Sequence, residues 1–248
     1  MTGTTSTQYE ILTFDTLTPT TMEAALLYHP LARTGARYRQ LKITLSDSAI
    51  KLQKGVMQYV DGPITLTVES GGLGGMISRA VRNAATGDGD YKTTFTGTGD
   101  IYTEPSLQHY LPLALSGEEI VIDDNTFCAC DASISVKLHV NRTLNALLGG
   151  EGWIQSKLSG TGRAMLRVPV PVAEIRVVRV RGELTLDGNL SVAHTAGLTV
   201  TAERAAKGFL ASSRSGEGIV QRFRGEGSVW VMPTLPIHQA LGPVRTTK

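Results

Sequence analysis

Apolar and polar residues alternate along much of the chain, with apolar side chains at every second position. The alternation is clearest in four segments: ITLTV (64–68), ISVKLHV (134–140), LTLDGNLSV (184–192) and SVWVM (228–232). These segments are rich in Val, Ile, Leu and Thr, and turn-forming residues separate them. A period of two with frequent turns predicts an all-β protein of short antiparallel strands, typical of sandwiches and barrels and not of βαβ units.

Helical periodicity is confined to two segments, TMEAALLYHP (21–30) and GGMISRAVRNAATG (74–87). The second segment is an insertion, and it would carry Arg79 and Arg82 on its outer face. Such a short amphipathic helix could contact a partner or a membrane surface, whereas the alternative is a surface loop that covers the core. We therefore count Arg79 and Arg82 among the candidate interaction residues.

A short motif with two glycines occurs three times, as FTGTGD (95–100), LSGTGR (158–163) and FRGEGS (223–228). Its central glycines are Gly97, Gly160 and Gly225, at intervals of 63 and 65 residues. A proline follows each copy: Pro105, Pro169 and Pro233. This recurrence predicts an internal repeat of about 65 residues.

A second alignment supports the repeat, because DDNTFCACDASISV (123–136) lies without a gap on DGNLSVAHTAGLTV (187–200). A third copy, QKGVMQYVDGPITL (53–66), fits the same frame, with turns predicted at DGP, DAS and TAG. The predicted modules are 46–105, 115–169 and 180–233, sandwich-like and in a pseudo-threefold arrangement. They form one β domain over residues 40–235, between an N-terminal extension (1–39) and a C-terminal tail (236–248).

The glycine motif invites comparison with loops that bind phosphate. A Walker-type loop needs GxxxxGK followed by Ser or Thr, at the passage from a strand into a helix. None of the three copies has this sequence. We therefore predict three equivalent tight turns in which Gly97, Gly160 and Gly225 adopt positive φ, and expect replacement of each to cost similar stability.

Composition excludes several classes of protein. The net charge is only +2, with 19% charged and 41% hydrophobic residues, so no overall charge favours nucleic acid or an anionic membrane. No apolar run approaches the roughly 18 residues of a transmembrane helix. Because the N-terminus also lacks a basic start and an apolar signal segment, we predict a cytoplasmic protein without a transmembrane segment.

Residues with catalytic or metal-binding chemistry do not form a recognisable set. Cys128 and Cys130 lie two apart, which would place both on one strand face without an unstrained disulfide, so we interpret them as buried packing residues. The five histidines match no hydrolase signature: His29, His109, His139, His194 and His238. We predict no catalytic residue, no cofactor and no metal site, and hence a protein that is not an enzyme.

The segment EIRVVRVRGE (174–183) is the most basic stretch with strand alternation. Alternation places Arg179 and Arg181 on one face of the strand and Arg176 on the other. The three arginines could contact phosphate groups, but basic side chains also protect a sheet edge from pairing, and no aromatic residues interleave to stack on bases.

Taken together, GVMQYVDGPITL, GGLGGMISRAV, FTGTGD, GEGWIQSKLSGTG and GEGIVQRFRGEGSVWV resemble the altered-inheritance-of-mitochondria family. The likeness spans about residues 40–235 and implies a fold like that of the tryptophan RNA-binding attenuator protein, built from repeated antiparallel β units. It also implies that mitochondrial relatives are linked to inner-membrane organisation, while bacterial members have no assigned activity.

The sequence thus predicts a non-enzymatic scaffold or interaction protein. Its expected partners are other proteins or further copies of itself in a homo-oligomer, with peripheral membrane contact as an additional expectation. Binding of a small ligand or of nucleic acid is the alternative, and a fold resemblance to an RNA-binding protein does not by itself transfer that function.

Overall fold

The computed structural model describes residues 6–15, 18–67, 92–139, 155–204 and 219–240. The described chain is all-β, as predicted, with thirteen strands in one antiparallel sheet. The strands are β1 (Ser6–Phe14), β2 (Tyr38–Gln53), β3 (Met57–Asp61), β4 (Ile64–Thr67), β5 (Lys92–Thr103), β6 (His109–Asp123), β7 (Phe127–Asp131), β8 (Ser135–His139), β9 (Gln155–Val168), β10 (Arg176–Asp187), β11 (Ser191–Thr195), β12 (Thr199–Arg204) and β13 (Ile219–Val231). Two α-helices are described, α1 (Met22–Arg33) and α2 (Leu235–Ala240).

Twelve of the strands fall into three groups of four, which we call the first (β2–β5), second (β6–β9) and third (β10–β13) strand groups. In each group the first and last strands are long and pair with each other. The two short strands between them both pair with the last long strand. The same order of pairing therefore occurs three times along the chain.

Strand pairing also joins successive groups. Strand β7 pairs with β2, and β11 pairs with β6, so a short strand of each later group continues the sheet of the group before it. The groups are consequently parts of one continuous sheet and not three separate sandwich-like modules. The sheet ends at β10 on one side and at β3 on the other.

The three central glycines do have positive φ: +143° at Gly97, +120° at Gly160 and +118° at Gly225. However, each lies inside a long strand, β5, β9 or β13, and none turns its own strand. The turns lie opposite, between the two short strands of each group. A Cβ on Gly97 would come within 2.2 Å of the Pro63 carbonyl oxygen, and one on Gly160 within 2.6 Å of the Ser133 carbonyl oxygen. The interpretation of these glycines as turn residues is therefore wrong, and Gly97 and Gly160 instead make room for a neighbouring turn.

The predicted turns and the three prolines that follow the glycine motifs have the positions expected from sequence. The turns at DGP, DAS and TAG separate β3 from β4, β7 from β8 and β11 from β12. Pro105, Pro169 and Pro233 follow the ends of β5, β9 and β13. A proline lacks the N–H that would continue the ladder, which is consistent with its position after each strand.

Three clusters of buried side chains form the core. The first contains Leu41 and Ile43 of β2 together with Met165 from the second group. The second is built mainly from β6 and β9 and includes Val192 and Ala193 of β11 from the third group. The third draws all its buried members from β10–β13 and the turn before β12.

The two cysteines are buried, as predicted. Their expected common face is not observed, because the register between β7 and β9 is irregular between Phe127 and Ala129. Cys128 packs in the first cluster and Cys130 in the second. Burial raises the pKa of the Cys128 thiol to about 12, so it remains protonated at neutral pH.

The N-terminal segment adds a strand and a helix to this core. Strand β1 pairs with β2 from Ser6 opposite Ser46 to Phe14 opposite Tyr38. The predicted helix at 21–30 is confirmed as α1, which continues to Arg33 and contains Pro30. The helix predicted at 74–87 lies outside the described residues.

The glycine contacts predict a graded loss of stability, and not the equal losses expected from sequence. Alanine at Gly225 meets no atom closer than 3.6 Å, so it should lose only the free energy of forcing positive φ, on the order of 1–3 kcal/mol. Gly160→Ala should cost more, and Gly97→Ala most, because their Cβ atoms meet backbone oxygens. Chemical denaturation measures the three free energies of unfolding.

Gly197→Ala is the matched control, since its nearest contact is 4.0 Å from the added Cβ. It should change the free energy of unfolding by less than any of the three. A loss at Gly225 equal to that at Gly97 would contradict the steric explanation.

Candidate interaction surfaces

Helix α1 presents an apolar face to solvent. Met22, Leu26 and Leu27 are 80%, 76% and 67% exposed, and no residue of the helix is fully buried. Ile11 and Phe14 of β1 are each 43% exposed in the same N-terminal segment. Exposed apolar side chains scattered singly are normal, but several on one short segment are typical of a contact surface.

Several local contacts hold α1 in place. The Thr21 hydroxyl accepts a hydrogen bond from the Ala24 amide at 3.1 Å and caps the first turn. Tyr38, at the start of β2, donates to the Tyr28 hydroxyl at 3.0 Å, and the two rings meet edge to face. The helix is thus attached to β2 by one side, while the face with Leu26 remains open.

Strand β1 is anchored across the first and second strand groups. The Tyr9 hydroxyl donates to Asp131 at 2.8 Å, and Asp131 also accepts from the Arg163 amide at 2.7 Å. The Arg163 guanidinium lies 5.2 Å from the centre of the Tyr9 ring and donates to the Thr7 carbonyl. Burial, with the Asp131 charge, raises the pKa of Tyr9, so its hydroxyl stays a donor. The N-terminal segment is therefore part of the packed structure.

The arginines of β10 have the predicted alternation. Arg179 and Arg181 are exposed on the face opposite buried Val180, and Arg176, near the strand's beginning, donates to the Ala173 carbonyl. Neither Arg179 nor Arg181 forms an ion pair with any described residue. The strand also lies at the end of the sheet, where the sequence suggested that basic residues protect an edge.

Arginines on the adjacent strand β13 are paired. Glu183 accepts from Arg224 at 2.7 Å and from Arg222 at 2.8 Å, and Arg222 also contacts Glu203 at 3.2 Å. Hydrogen bonds from Arg224, which has the larger effect, and from Arg222 hold the pKa of Glu183 below its ordinary value. These charges are therefore balanced on the surface, whereas Arg179 and Arg181 have no ion-pair partner among the described residues.

Arg79 and Arg82 lie outside the described residues. Among the described residues, no group of three or more His, Cys, Asp or Glu side chains is arranged to hold a metal ion. None of the described helices is long and apolar enough to cross a membrane.

Two surface features were missed by sequence reasoning. The apolar residues of α1, Met22, Leu26 and Leu27, can be read from the sequence. Their exposure cannot, because it depends on whether another part of the protein packs against them. Tyr59 of β3 stacks on Tyr102 of β5 with ring centres 4.3 Å apart, yet it is 48% exposed. No local pattern identifies such a cross-strand pair, because the two residues are far apart in sequence.

A buried histidine lies where the second and third groups join. His194 of β11 is 3% exposed, and its Nδ1 lies 3.0 Å from the Thr195 carbonyl oxygen, to which it donates. Its Nε2 has no hydrogen-bond partner among the described residues. Burial lowers the pKa of His194, and the nearby His139 lowers it further, although the Thr195 carbonyl opposes this.

Comparison with known proteins gives a consistent result. The model of a family described as mitochondrial biogenesis AIM24 matches residues 32–234. An uncharacterized protein of Streptococcus pyogenes serotype M6 is 25% identical over 205 residues, covering 79% of this chain and 81% of the relative. A crystal structure of a Streptococcus pyogenes protein is similar with a TM-score of 0.63 and 20% identity, over 95% of this chain and 98% of that one. The structural likeness supports the fold alone.

The environment of His194 predicts a pH-dependent stability. Because its pKa is lowered in the folded protein, the unfolded chain binds a proton more readily, and the free energy of unfolding should fall as pH drops below about 6.5. His194→Gln should reduce this slope, by at most about 1.4 kcal/mol per pH unit. Denaturation between neutral and mildly acidic pH measures the difference.

His139→Gln is the companion variant, since it removes the neighbouring charge but keeps His194. It should flatten the slope less than His194→Gln does. An unchanged slope in His194→Gln would refute the assignment of the pH dependence to this residue.

Proposed function

The chain belongs to the mitochondrial biogenesis AIM24 family, and from that premise we propose that it is a non-enzymatic scaffold that binds other proteins through its surface. The observation that carries this proposal is the open apolar face of α1, with Met22 80% and Leu26 76% exposed. Burying such side chains against a partner releases roughly 25 cal/mol for each Å² of apolar surface removed from water. A cytoplasmic location remains a prediction.

The charge of α1 favours a protein partner over a membrane. Helices that lie in a membrane interface combine an apolar face with a polar face rich in Lys and Arg. Helix α1 contains one acidic residue, Glu23, and one basic residue, Arg33, so it lacks that basic face. A peripheral membrane contact therefore has less support than a groove or face of another protein.

The architecture proposed for this scaffold has three copies of one unit. The recurring pairing order of the three strand groups and the recurring positive φ at Gly97, Gly160 and Gly225 support it. We also propose that each unit has a fold like that of the tryptophan RNA-binding attenuator protein, and that the three units have a pseudo-threefold arrangement. A rigid repeated sheet would hold α1 in a fixed orientation.

The proposal predicts that α1 carries the partner contact. The triple variant Met22→Gln, Leu26→Gln and Leu27→Gln keeps good helix formers at exposed sites, so stability should change little. Recovery of cross-linked partner proteins from native lysate should fall at least severalfold relative to the parent. Quantitative mass spectrometry of the cross-linked fraction measures this ratio.

Leu66→Gln is the matched control, because Leu66 is 49% exposed on β4, which pairs with β5 and is not part of the N-terminal segment. It should leave partner recovery unchanged. Equal recovery from parent and triple variant would reject α1 as the contact surface. Recovery of the membrane fraction in place of proteins would favour the peripheral membrane alternative.

Binding of nucleic acid is the second candidate function. It is favoured by one observation: Arg179 and Arg181 face outward without an ion pair among the described residues. Against it, the sheet face near these arginines also carries Glu183, Glu203 and Glu226, and phosphate contacts alone would give binding that is weak and salt-dependent. Protection of the β10 edge from unwanted pairing also explains why these arginines are exposed there.

Replacing Arg176, Arg179 and Arg181 together by serine separates the two roles. Under the edge-protection role, any weak RNA affinity should remain nearly unchanged. The control, Arg222→Ser with Arg224→Ser, removes positive charge from the neighbouring strand. Filter binding at two salt concentrations decides, since a large loss of affinity with a smaller salt slope in the triple variant alone would establish phosphate contacts.

A further inference from the structure

The first long strands of the three groups, β2, β6 and β10, differ in whether a second strand pairs with their outer edge. The C-terminal halves of β2 and β6 each pair with a short strand of the next group, with Lys51 opposite Cys130 and Val121 opposite His194. Strand β10 is the corresponding strand of the third group. Within the described residues it pairs only with β13, so its outer edge is open.

The short strands show the reciprocal difference. Strands β7 and β11 are paired on both sides, whereas β3 pairs only with β5 among the described residues. Ala129 of β7 and Ala193 of β11 are 0% and 1% exposed. Tyr59, at the corresponding position of β3, is 48% exposed, and Met57 of the same strand is 37% exposed. One strand-to-strand contact thus occurs twice in the fold, and no described strand pairs with either side of the corresponding third contact.

The glycine motif fixes which residues correspond. Ile50, Ile120 and Leu184 each pair with the residue two positions before the central glycine of their group. In the same way Val60, Cys130 and His194 each pair with the residue four positions after it. The two established contacts therefore specify the register of the third, with Thr185 opposite Val60.

We propose that β10 of one copy of this protein pairs antiparallel with β3 of a second copy. In the specified register Leu184 lies opposite Asp61, Thr185 opposite Val60 and Leu186 opposite Tyr59. The contact continues the sheet from one molecule into the next by the pairing that β7 and β11 already make within the chain. It is independent of the surface of α1.

The repeated register identifies the partner strand, and charge is consistent with it. Pairing of β10 with another β10 would bring like charges together in the registers that place Arg179 opposite Arg181, and like charges across strands destabilise. Strand β3 carries Asp61 and no cation, so pairing with it brings no two cations together. Among the described residues β3 and β10 of one chain do not pair, so the third contact is available to a second copy.

Because the two surfaces differ, the contact is heterologous, and repeated contacts of this kind produce a closed ring or a filament. Each molecule would contribute one β10 edge and one β3 edge. An assembly of this type satisfies the edge groups of both strands, which otherwise invite unspecific pairing.

Engineered cysteines test the register in the full chain. Directly opposite residues lie about 4.5–5.5 Å apart at Cα, within the range of a disulfide. Mixing the single variants Val60→Cys and Thr185→Cys under mild oxidation should give disulfide-linked dimers, while each variant alone gives few. Mixing Val60→Cys with Arg179→Cys is the control, since Arg179 lies six residues along β10 and should link at least tenfold less. Cys128 and Cys130 are buried and do not compete.

The double variant Val60→Cys/Thr185→Cys distinguishes the source of the second strand. Pairing between copies should give covalent oligomers on a non-reducing gel, and native mass spectrometry of the parent should show more than one chain. A disulfide within one chain would overturn the proposal in favour of internal closure. The proposal would also be overturned if no disulfide formed between the cysteines introduced at positions 60 and 185, or if the parent protein were monomeric. The same holds if a different protein occupied the edge of β10 or of β3.

Discussion

The fold depends on the close approach between the turn that joins two short strands and the long strand beneath it. In the first group β3 and β4 both pair with β5, so Gly62 and Pro63 lie directly against Gly97 and Gly99. A Cβ on Gly99 would lie 2.3 Å from the Asp61 carbonyl oxygen. Only glycine combines the missing Cβ with positive φ at this site. The glycine motif thus permits one long strand to pair with two short strands that are joined by a turn. The motif occurs in each of the three groups that have this arrangement.

A second consequence is that neighbouring groups complete each other's cores. Met165 and Cys128 enter the first cluster from the second group, and Val192 and Ala193 enter the second cluster from the third. The third cluster receives no buried residue from another group among those described. Cooperativity should therefore be strongest between adjacent groups, and the third group is the one whose outer side depends least on the rest of the chain.

Sequence patterns predicted where the strands and turns lie better than they predicted which strands pair. Alternation and turn residues located the strands, and the turn at DGP separates β3 from β4 where expected. The positive φ of Gly160 was predicted, but its position inside β9 was not, because a local motif does not show which backbone passes above it. Pairing of β2 with β7 and the exposure of Leu26 were likewise outside local reasoning. Both depend on contacts between residues far apart in the chain.

The interior and the surface of this protein differ in their chemistry. Burial keeps the Cys128 thiol protonated, with a pKa of about 12, and lowers the pKa of His194 so that the neutral ring is favoured. Both groups thus behave as packing residues at neutral pH, and they lie in different parts of the core. The unpaired features lie outside, as the apolar face of α1, the cations of β10 and the open edge of β3. Since a partner can contact only exposed groups, the contacts that we propose involve these surface features and not the buried Cys128 and His194.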